Sequence, residues 1–249
     1  MTNKVALVTG AAAGIGAAIA QRLARAGMAI GVLDINMGDA AKVADEIKAA
    51  GGKAMPLQAS IADRAQVNAA VAQLRQAFGP ITVLVNNAGI TGFVPFEEMT
   101  DQLWDRMMEV NLKGTFIVTQ VVIPDMKAAK WGRIVNISSS SAQTGSATMT
   151  HYSASKGGVI AFTKSIAQEF GVHGITCNTI PPRFVMGTVM SEKSAAEGKI
   201  NRDPIINSGP IRRAGEPADI AGACAYLCSD EAGYVTGQII GVNGGRVIS

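Results

Sequence analysis

Short runs rich in valine and isoleucine, each followed by a longer segment of helical period, set the layout of the chain. KVALVT (4–9), AIGVLD (29–34), KAMPLQ (53–58), ITVLVN (81–86), GRIVNIS (132–138), ITCNTI (175–180) and QIIGVN (238–243) read as strands. Helical periodicity occupies the stretches near 15–26, 38–50, 63–77, 101–127, 152–170 and 217–228. Strands that are apolar on both faces need cover on both sides, and the intervening helices supply it, so the pattern is that of a parallel sheet wrapped on two faces. No Pro/Ser-rich linker or block of charge divides the 249 residues, so one α/β domain over 1–249 is expected. The least regular stretch, 186–210, is polar and carries Pro204 and Pro210; it is expected to form a substrate lid near the strand ends.

Composition narrows the function classes. The chain is 48% hydrophobic and 16% charged with a net charge of +3, and its lysines and arginines are scattered singly. That excludes a nucleic-acid footprint and a polybasic membrane anchor. No apolar run approaches the ~20 residues of a membrane span, and the opening MTNKVALVTG runs into a strand without a signal-peptide cleavage pattern. A soluble, cytoplasmic protein is expected. Cys177, Cys224 and Cys228 form no Cys-x-x-Cys pair and read as buried structural thiols, with no metal site expected.

TGAAAGIG follows the first strand directly and places Gly10, Gly14 and Gly16 at the start of a helix. The spacing departs from G-x-G-x-x-G, but the strand–glycine turn–helix context is that of a pyrophosphate cradle at a helix N-terminus. A plain tight turn is the alternative. Asp34 ends the second strand 20 residues after Gly14, where a carboxylate accepts hydrogen bonds from ribose hydroxyls and repels a 2′-phosphate. Ile35 and Asn36 follow it rather than a cation, so NAD is favoured over NADP as cofactor.

In HYSASK, Tyr152 and Lys156 stand four residues apart, on one helix face. A free tyrosine has a pKa of about 10, and a neighbouring ammonium favours the phenolate and draws that value down. Ser139 closes a strand thirteen residues earlier, at the edge where open α/β sheets bind ligands.

Taken together, TGAAAGIG (9–16), NNAG (86–89), Asn111 in EVNLKGTF, SSSS (138–141), YSASK (152–156), IRRAGEPADIA (211–221) and TGQIIGVNGG (236–245) resemble the short-chain dehydrogenase/reductase family over residues 4–245. The resemblance implies a single doubly wound Rossmann domain with a seven-stranded parallel sheet in the order 3-2-1-4-5-6-7. It implies a tetrad in which Tyr152 is general acid/base and Ser139 hydrogen-bonds the substrate oxygen. Lys156 would hold the nicotinamide ribose and lower the tyrosine pKa, and Asn111 would hold a relay water. Cofactor contacts are implied for Gly10, Gly14, Ile15, Gly16, Asp34, Ile35, Ser60, Ile61, Asn87, Ala88, Gly89, Tyr152, Lys156, Pro182 and Val185. A pocket near Phe93–Phe96 with Ser141, Gln143, His151, Arg183 and Phe184 is expected, and a homotetramer is implied.

The sequence departs from the family pattern in several places. Ser60 stands where an Asp is usual beside the adenine. Arg183 replaces a glycine after Pro182, either facing the pocket to bind an anion or pointing to solvent. Gly187 occupies a threonine's place with Thr188 one step later, and Asn243 a usual Asp's. The expected activity is NAD(H)-dependent interconversion of a secondary alcohol and a ketone on a largely apolar small molecule. The rivals are a 3-oxoacyl-thioester (acyl-carrier-protein) reductase, with Lys127, Lys130 and Arg133 as a docking face, and a non-catalytic nucleotide-sensing protein.

Overall fold

A computed structural model describes residues 4–199, 202–207 and 209–248. Six strands, Val5–Thr9 (β1), Ala29–Asp34 (β2), Lys53–Gln58 (β3), Ile81–Asn86 (β4), Gly132–Ile137 (β5) and Ile175–Ile180 (β6), form one parallel sheet in the order β3-β2-β1-β4-β5-β6. Alternate residues of each strand face opposite sides, and both sides are apolar. Ala6 and Val8 join one core with Ile30, Val32 and the helices Gly14–Arg25 (α1), Met37–Ala49 (α2) and Pro217–Leu227 (α10). Val5 and Leu7 join the other with Leu33, Leu84 and the helices Arg64–Phe78 (α3) and Gly114–Ala129 (α5). This is the single-domain, doubly wound Rossmann-type α/β fold expected from the strand–helix alternation. Pro56 within β3 is tolerated because β3 is an edge strand.

The expected seventh strand is the one correction to the sheet. Residues 238–243 run beside β6 but pair with it at one place, where Thr179 bridges Ile239; Thr179 N–H donates to Gln238 O (3.0 Å) and Ile240 N–H to Thr179 O (2.8 Å). Side chains take part of the neighbouring rungs. Asn178 Oδ1 accepts from Gln238 N–H (3.0 Å) and Thr236 Oγ1 from Cys177 N–H (3.1 Å), so although Gly237 N–H donates to Cys177 O (2.8 Å) the regular ladder is broken there.

Local chemistry marks the helix ends. Asp63 caps α3 by accepting from Ala65 and Gln66 N–H, and Asn36 caps α2 by accepting from Asp39 N–H. At α10, Glu216 and Asp219 form a capping box ahead of Pro217. The long helix expected over 101–127 runs over Asp101–Ala129 with a π-helical turn at Glu109–Lys113 between its α-helical parts, Asp101–Met108 (α4) and α5. Two further helices complete the strand-end side: the short Ser141–Thr144 (α6) and the long Thr150–Phe170 (α7). Within 186–210, Val189–Ala196 (α8) and Arg202–Asn207 (α9) are helical, and Thr188 Oγ1 caps α8 by accepting from Ser191 N–H (3.0 Å).

Candidate active site

The carboxyl ends of β1, β2, β4, β5 and β6 converge on one edge of the sheet, and the residues singled out from the sequence lie along it. At β1 the chain turns through Gly10, whose φ of +62° suits glycine. Asn87 staples this turn to the end of β4: its Nδ2 donates to Thr9 O and to Gly10 O, both at 3.0 Å. Thr9 Oγ1 in turn accepts from Asn87 N–H (3.0 Å) and Ala88 N–H (3.1 Å). Gly16 sits so close beneath that a Cβ there would lie 2.1 Å from Gly10 O. No side chain caps α1 and no acidic residue occupies its first turn, so the amides of Gly14, Ile15 and Gly16 open its positive end to a ligand anion.

Asp34 is held by two backbone amides, Oδ2 accepting from Ala12 N–H and Oδ1 from Asn36 N–H, both at 3.1 Å. This fixes the carboxylate at the end of β2 above the glycine turn. Ile35 beside it is 69% exposed, while Ile61 is buried and Ser60 half-buried with its N–H donated to Gln66. A glycine cradle that a Cβ would fill, an uncapped helix start and an oriented carboxylate together fit a dinucleotide.

The second half of the site sits on α7 and the exit of β5. Tyr152 and Lys156, one turn apart, are both buried, and the Tyr152 hydroxyl faces Ser139. Ser139 Oγ also lies 2.9 Å from Ser141 Oγ and accepts from Ser141 N–H at 3.2 Å. Lys156 Nζ donates to Ile137 O (2.9 Å). Burial drives the Lys156 ammonium down to about 8. The expected depression of Tyr152 is reversed in the protein itself: burial raises its pKa, and the Ser139 hydroxyl pulls the other way.

Asn111 is fully buried at the π-helical turn, where the extra residue swings its amide inward. Its Oδ1 accepts from Ile90 N–H (2.8 Å), and its Nδ2 donates to Ile90 O (3.0 Å) and Ser155 Oγ (3.0 Å). Gly89 separates the amide from the ammonium: a Cβ there would meet Asn111 Oδ1 at 3.0 Å and Lys156 Nζ at 3.3 Å. Sequence reasoning missed Thr9 and Ser155. Each is a small polar residue inside an apolar or motif-bearing element and is now fully buried or nearly so, which is the signal that singles them out.

The expected pocket residues divide. Ser141 is buried against Ser139, and Gln143 Oε1 is buried without a partner among the described residues. His151 is 2% exposed and packs under Gly92, where a Cβ would come within 2.9 Å of its Nε2; burial lowers its pKa and keeps it neutral. Phe93 is half-buried and Phe96 exposed, and Val94 N–H donates to Thr148 O (2.7 Å), joining the two loops around the site. Pro182 O accepts from Ser140 N–H (2.9 Å), tying β6 to β5. Thr188 lies against the glycine turn, 3.2 Å from a Cβ built on Gly14, despite its shifted place in the sequence. Arg183, Phe184 and Val185 line a cavity whose walls include none of Asn111, Ser139, Tyr152 or Lys156.

One expected surface is corrected. Arg133 is 4% exposed, stacks 4.3 Å from the Trp131 ring centroid and donates to Ser229 O and Gly132 O, so it cannot join Lys127 and Lys130 in a docking face.

Among the described residues no helix is long and apolar enough to cross a membrane. The family model described as short chain dehydrogenase matches residues 4–199. Nodulation protein G of Azospirillum brasilense is 42% identical over 246 residues, 98% of each chain. A 3-oxoacyl-[acyl-carrier-protein] reductase FabG of Thermotoga maritima is 40% identical over 248 residues, 100% of this chain and 99% of the relative. A crystal structure from Sinorhizobium meliloti 1021, described as a candidate short-chain alcohol dehydrogenase, superposes with a TM-score of 0.93 at 32% identity, covering 99% of this chain and 97% of the other. With the glycine turn, the Tyr152–Lys156 helix face and these matches agreeing along nearly the whole sequence, the chain belongs to the short-chain dehydrogenase/reductase family of oxidoreductases.

Proposed function

We propose that the protein is an NAD(H)-dependent oxidoreductase that interconverts a secondary alcohol and a ketone on a largely apolar small molecule. The observation that carries this reading is the assembly of buried Tyr152, Lys156 and Asn111 with half-buried Ser139 at the strand ends beside the glycine turn. Members of the family use nicotinamide cofactors, and when bound the nicotinamide gives or takes the hydride. Gly10, Gly14, Ile15 and Gly16 would carry the pyrophosphate, with Asn87, Ala88 and Gly89 closing the far side. Asp34 would take the adenosine ribose, flanked by Ile35, Ser60 and Ile61, and Pro182 and Val185 would border the nicotinamide.

The chain's own groups handle the proton and the charge. Tyr152 would pass its proton to the substrate oxygen during reduction and take it back during oxidation. Ser139, fixed by Ser141, would donate a hydrogen bond to the same oxygen as charge develops there. Lys156 would hold the nicotinamide ribose and, through the polar path past Gly89 to Asn111, connect the tyrosine proton to solvent. Asp34 favours NAD because its fixed carboxylate would repel a 2′-phosphate. In this reading 186–210 closes over the substrate, the subunits assemble as a homotetramer, and the enzyme works in the cytoplasm.

A second reading is a 3-oxoacyl-thioester reductase, supported by the Thermotoga maritima relative named for that activity. A nucleotide sensor without catalysis would not need a buried tyrosine facing a strand-end serine. One absorbance screen at the nicotinamide band separates these readings, using NAD and NADP with cyclic, aryl and steroid alcohols and NADH and NADPH with an acetoacetyl thioester. NAD reduction by a secondary alcohol is the expected result. Preferred turnover of the thioester with NADPH selects the second reading, and tight NAD binding with no turnover anywhere refutes both.

A further inference from the structure

Outside the Tyr152 site the structure holds a cavity of about 350 Å³. Its walls come from the exit of β6, from α9, from the segment leading into α10 and from residues 241–246. That volume is at the small end of the ~300–1,000 Å³ range of ligand pockets. We propose that this cavity is a second binding site, beside the Tyr152 cleft and lined by none of its four catalytic candidates, for a short-chain organic carboxylate held by Arg183 and Arg246.

Charge is the first argument. Arg183, Arg213, Arg246 and Asp219 line the cavity. Arg213 is already committed to Asp219 through a two-pronged pair at 2.7 and 2.8 Å. Arg183 and Arg246 have no carboxylate partner among the described residues, and Arg183 Nε is buried without a hydrogen-bond acceptor. Both arginines line the one cavity, and burial and the positive charge of Arg246 push the Arg183 guanidinium down. A guanidinium does not shed its proton to relieve this, so the compensation available is an anion, and a carboxylate matches its planar fork.

The rest of the lining sets the ligand's body. Phe184, Val185, Ile205, Ile206, Ile220 and Val242 surround the charged end, which suits a short apolar chain rather than a bare inorganic ion. The walls are braced independently of any ligand: Val185 bridges Gly215, with Gly215 N–H donating to Phe184 O and Met186 N–H to Gly215 O (both 2.9 Å), and Ile211 N–H donates to Gly244 O (3.1 Å). None of Asn111, Ser139, Tyr152 and Lys156 lines the cavity, although Val185, placed at the nicotinamide, and Ile205 and Ile206 of the 186–210 segment do, so the two sites are neighbours with a shared wall.

Calorimetric titration of the full-length protein with hexanoate, hexan-1-ol and inorganic phosphate tests it. Hexanoate is expected to bind wild type and Tyr152→Phe equally, and at least tenfold more tightly than hexan-1-ol or phosphate. Arg246→Gln, at an exposed position whose loss leaves the fold intact, and Arg183→Gln are each expected to weaken hexanoate about 10- to 100-fold, the loss of a charge-assisted hydrogen bond. Circular dichroism of both variants confirms that folding is retained. No hexanoate binding at concentrations on the order of 10 mM, where even a weak ligand saturates, overturns the proposal. So does affinity unchanged in both arginine variants, affinity lost in Tyr152→Phe, or phosphate binding as tightly as hexanoate.

Discussion

Replacing Gly16 by alanine adds one methyl group at the most crowded point of the glycine turn. The new Cβ would lie 2.1 Å from Gly10 O and 2.6 Å from Asn87 Nδ2, where ordinary contact begins at 3.4 Å. The obstructing atoms are a backbone carbonyl and an amide that itself staples β1 to β4, so neither can swing aside cheaply. The turn must open by more than an ångström, stretching the Asn87 bonds and displacing the amides at the start of α1. Overpacking of this kind costs about 1–3 kcal/mol. For a domain of this length that lowers Tm by roughly 4–8 °C at a mid-range cost of ~2 kcal/mol. Cofactor affinity is expected to fall about 10- to 100-fold, the loss of a hydrogen bond to a charged group. Gly38→Ala is the control: on the open side of α2 the nearest atom to an added Cβ is Asn36 Oδ1 at 3.6 Å, and its effect is expected to lie between zero and ~1 kcal/mol of stabilisation. Differential scanning fluorimetry and cofactor titration on both variants provide the comparison. Gly16→Ala with unchanged Tm and unchanged NAD affinity would refute the packing argument and the placement of the pyrophosphate with it.

Three further outcomes follow from the same geometry. Asp34→Ala frees Ala12 and Asn36 N–H and removes the charge that disfavours a 2′-phosphate, so the ratio of NAD to NADP affinity should fall at least tenfold in a binding titration. Lys156→Met removes a buried ammonium whose pKa is held near 8 against 10.5 when unfolded. The unfolded chain binds the extra proton between those values, so wild-type stability from this group is depressed below pH 8 and recovers as pH rises to 10.5. The variant should therefore be the more stable at pH 7 in urea denaturation, with its advantage shrinking across pH 8 to 10.5, while turnover is lost. Asn111→Ala leaves Ile90 N–H and O without their partner and opens a void at a fully buried site, and should cost about 2–4 kcal/mol by the same denaturation assay.

The sheet was legible because strands apolar on both faces leave little choice of neighbour, and five of the six helical stretches match to within two residues at each end. The exceptions have local causes. The helix expected over 101–127 carries a π-helical turn at Glu109–Lys113, where the buried Asn111 reaches the backbone of Ile90, and helical periodicity does not register one inserted residue. The last strand fails to form a regular ladder because the Asn178 and Thr236 side chains take the Gln238 and Cys177 amides, contacts invisible from strand propensity. At the site, Tyr152, Lys156 and Ser139 are singled out by the family resemblance, and one helix turn and one strand end bring them to the same edge of the sheet. His151 and Arg183 could not be placed that way. His151 turns beneath Gly92, and Arg183 faces a cavity built partly from residues 241–246, far away in the sequence.

Tyr152→Phe tests the central claim most directly, because it deletes one hydroxyl and leaves the ring packed on α7. NAD binding should persist within about twofold, since the hydroxyl's neighbour in the protein is Ser139. Turnover at the nicotinamide band should fall at least ~100-fold, the contribution expected of a lost general acid/base. Turnover within a few-fold of wild type, with NAD still bound, would contradict the assignment of proton transfer to Tyr152 and the mechanism built on it.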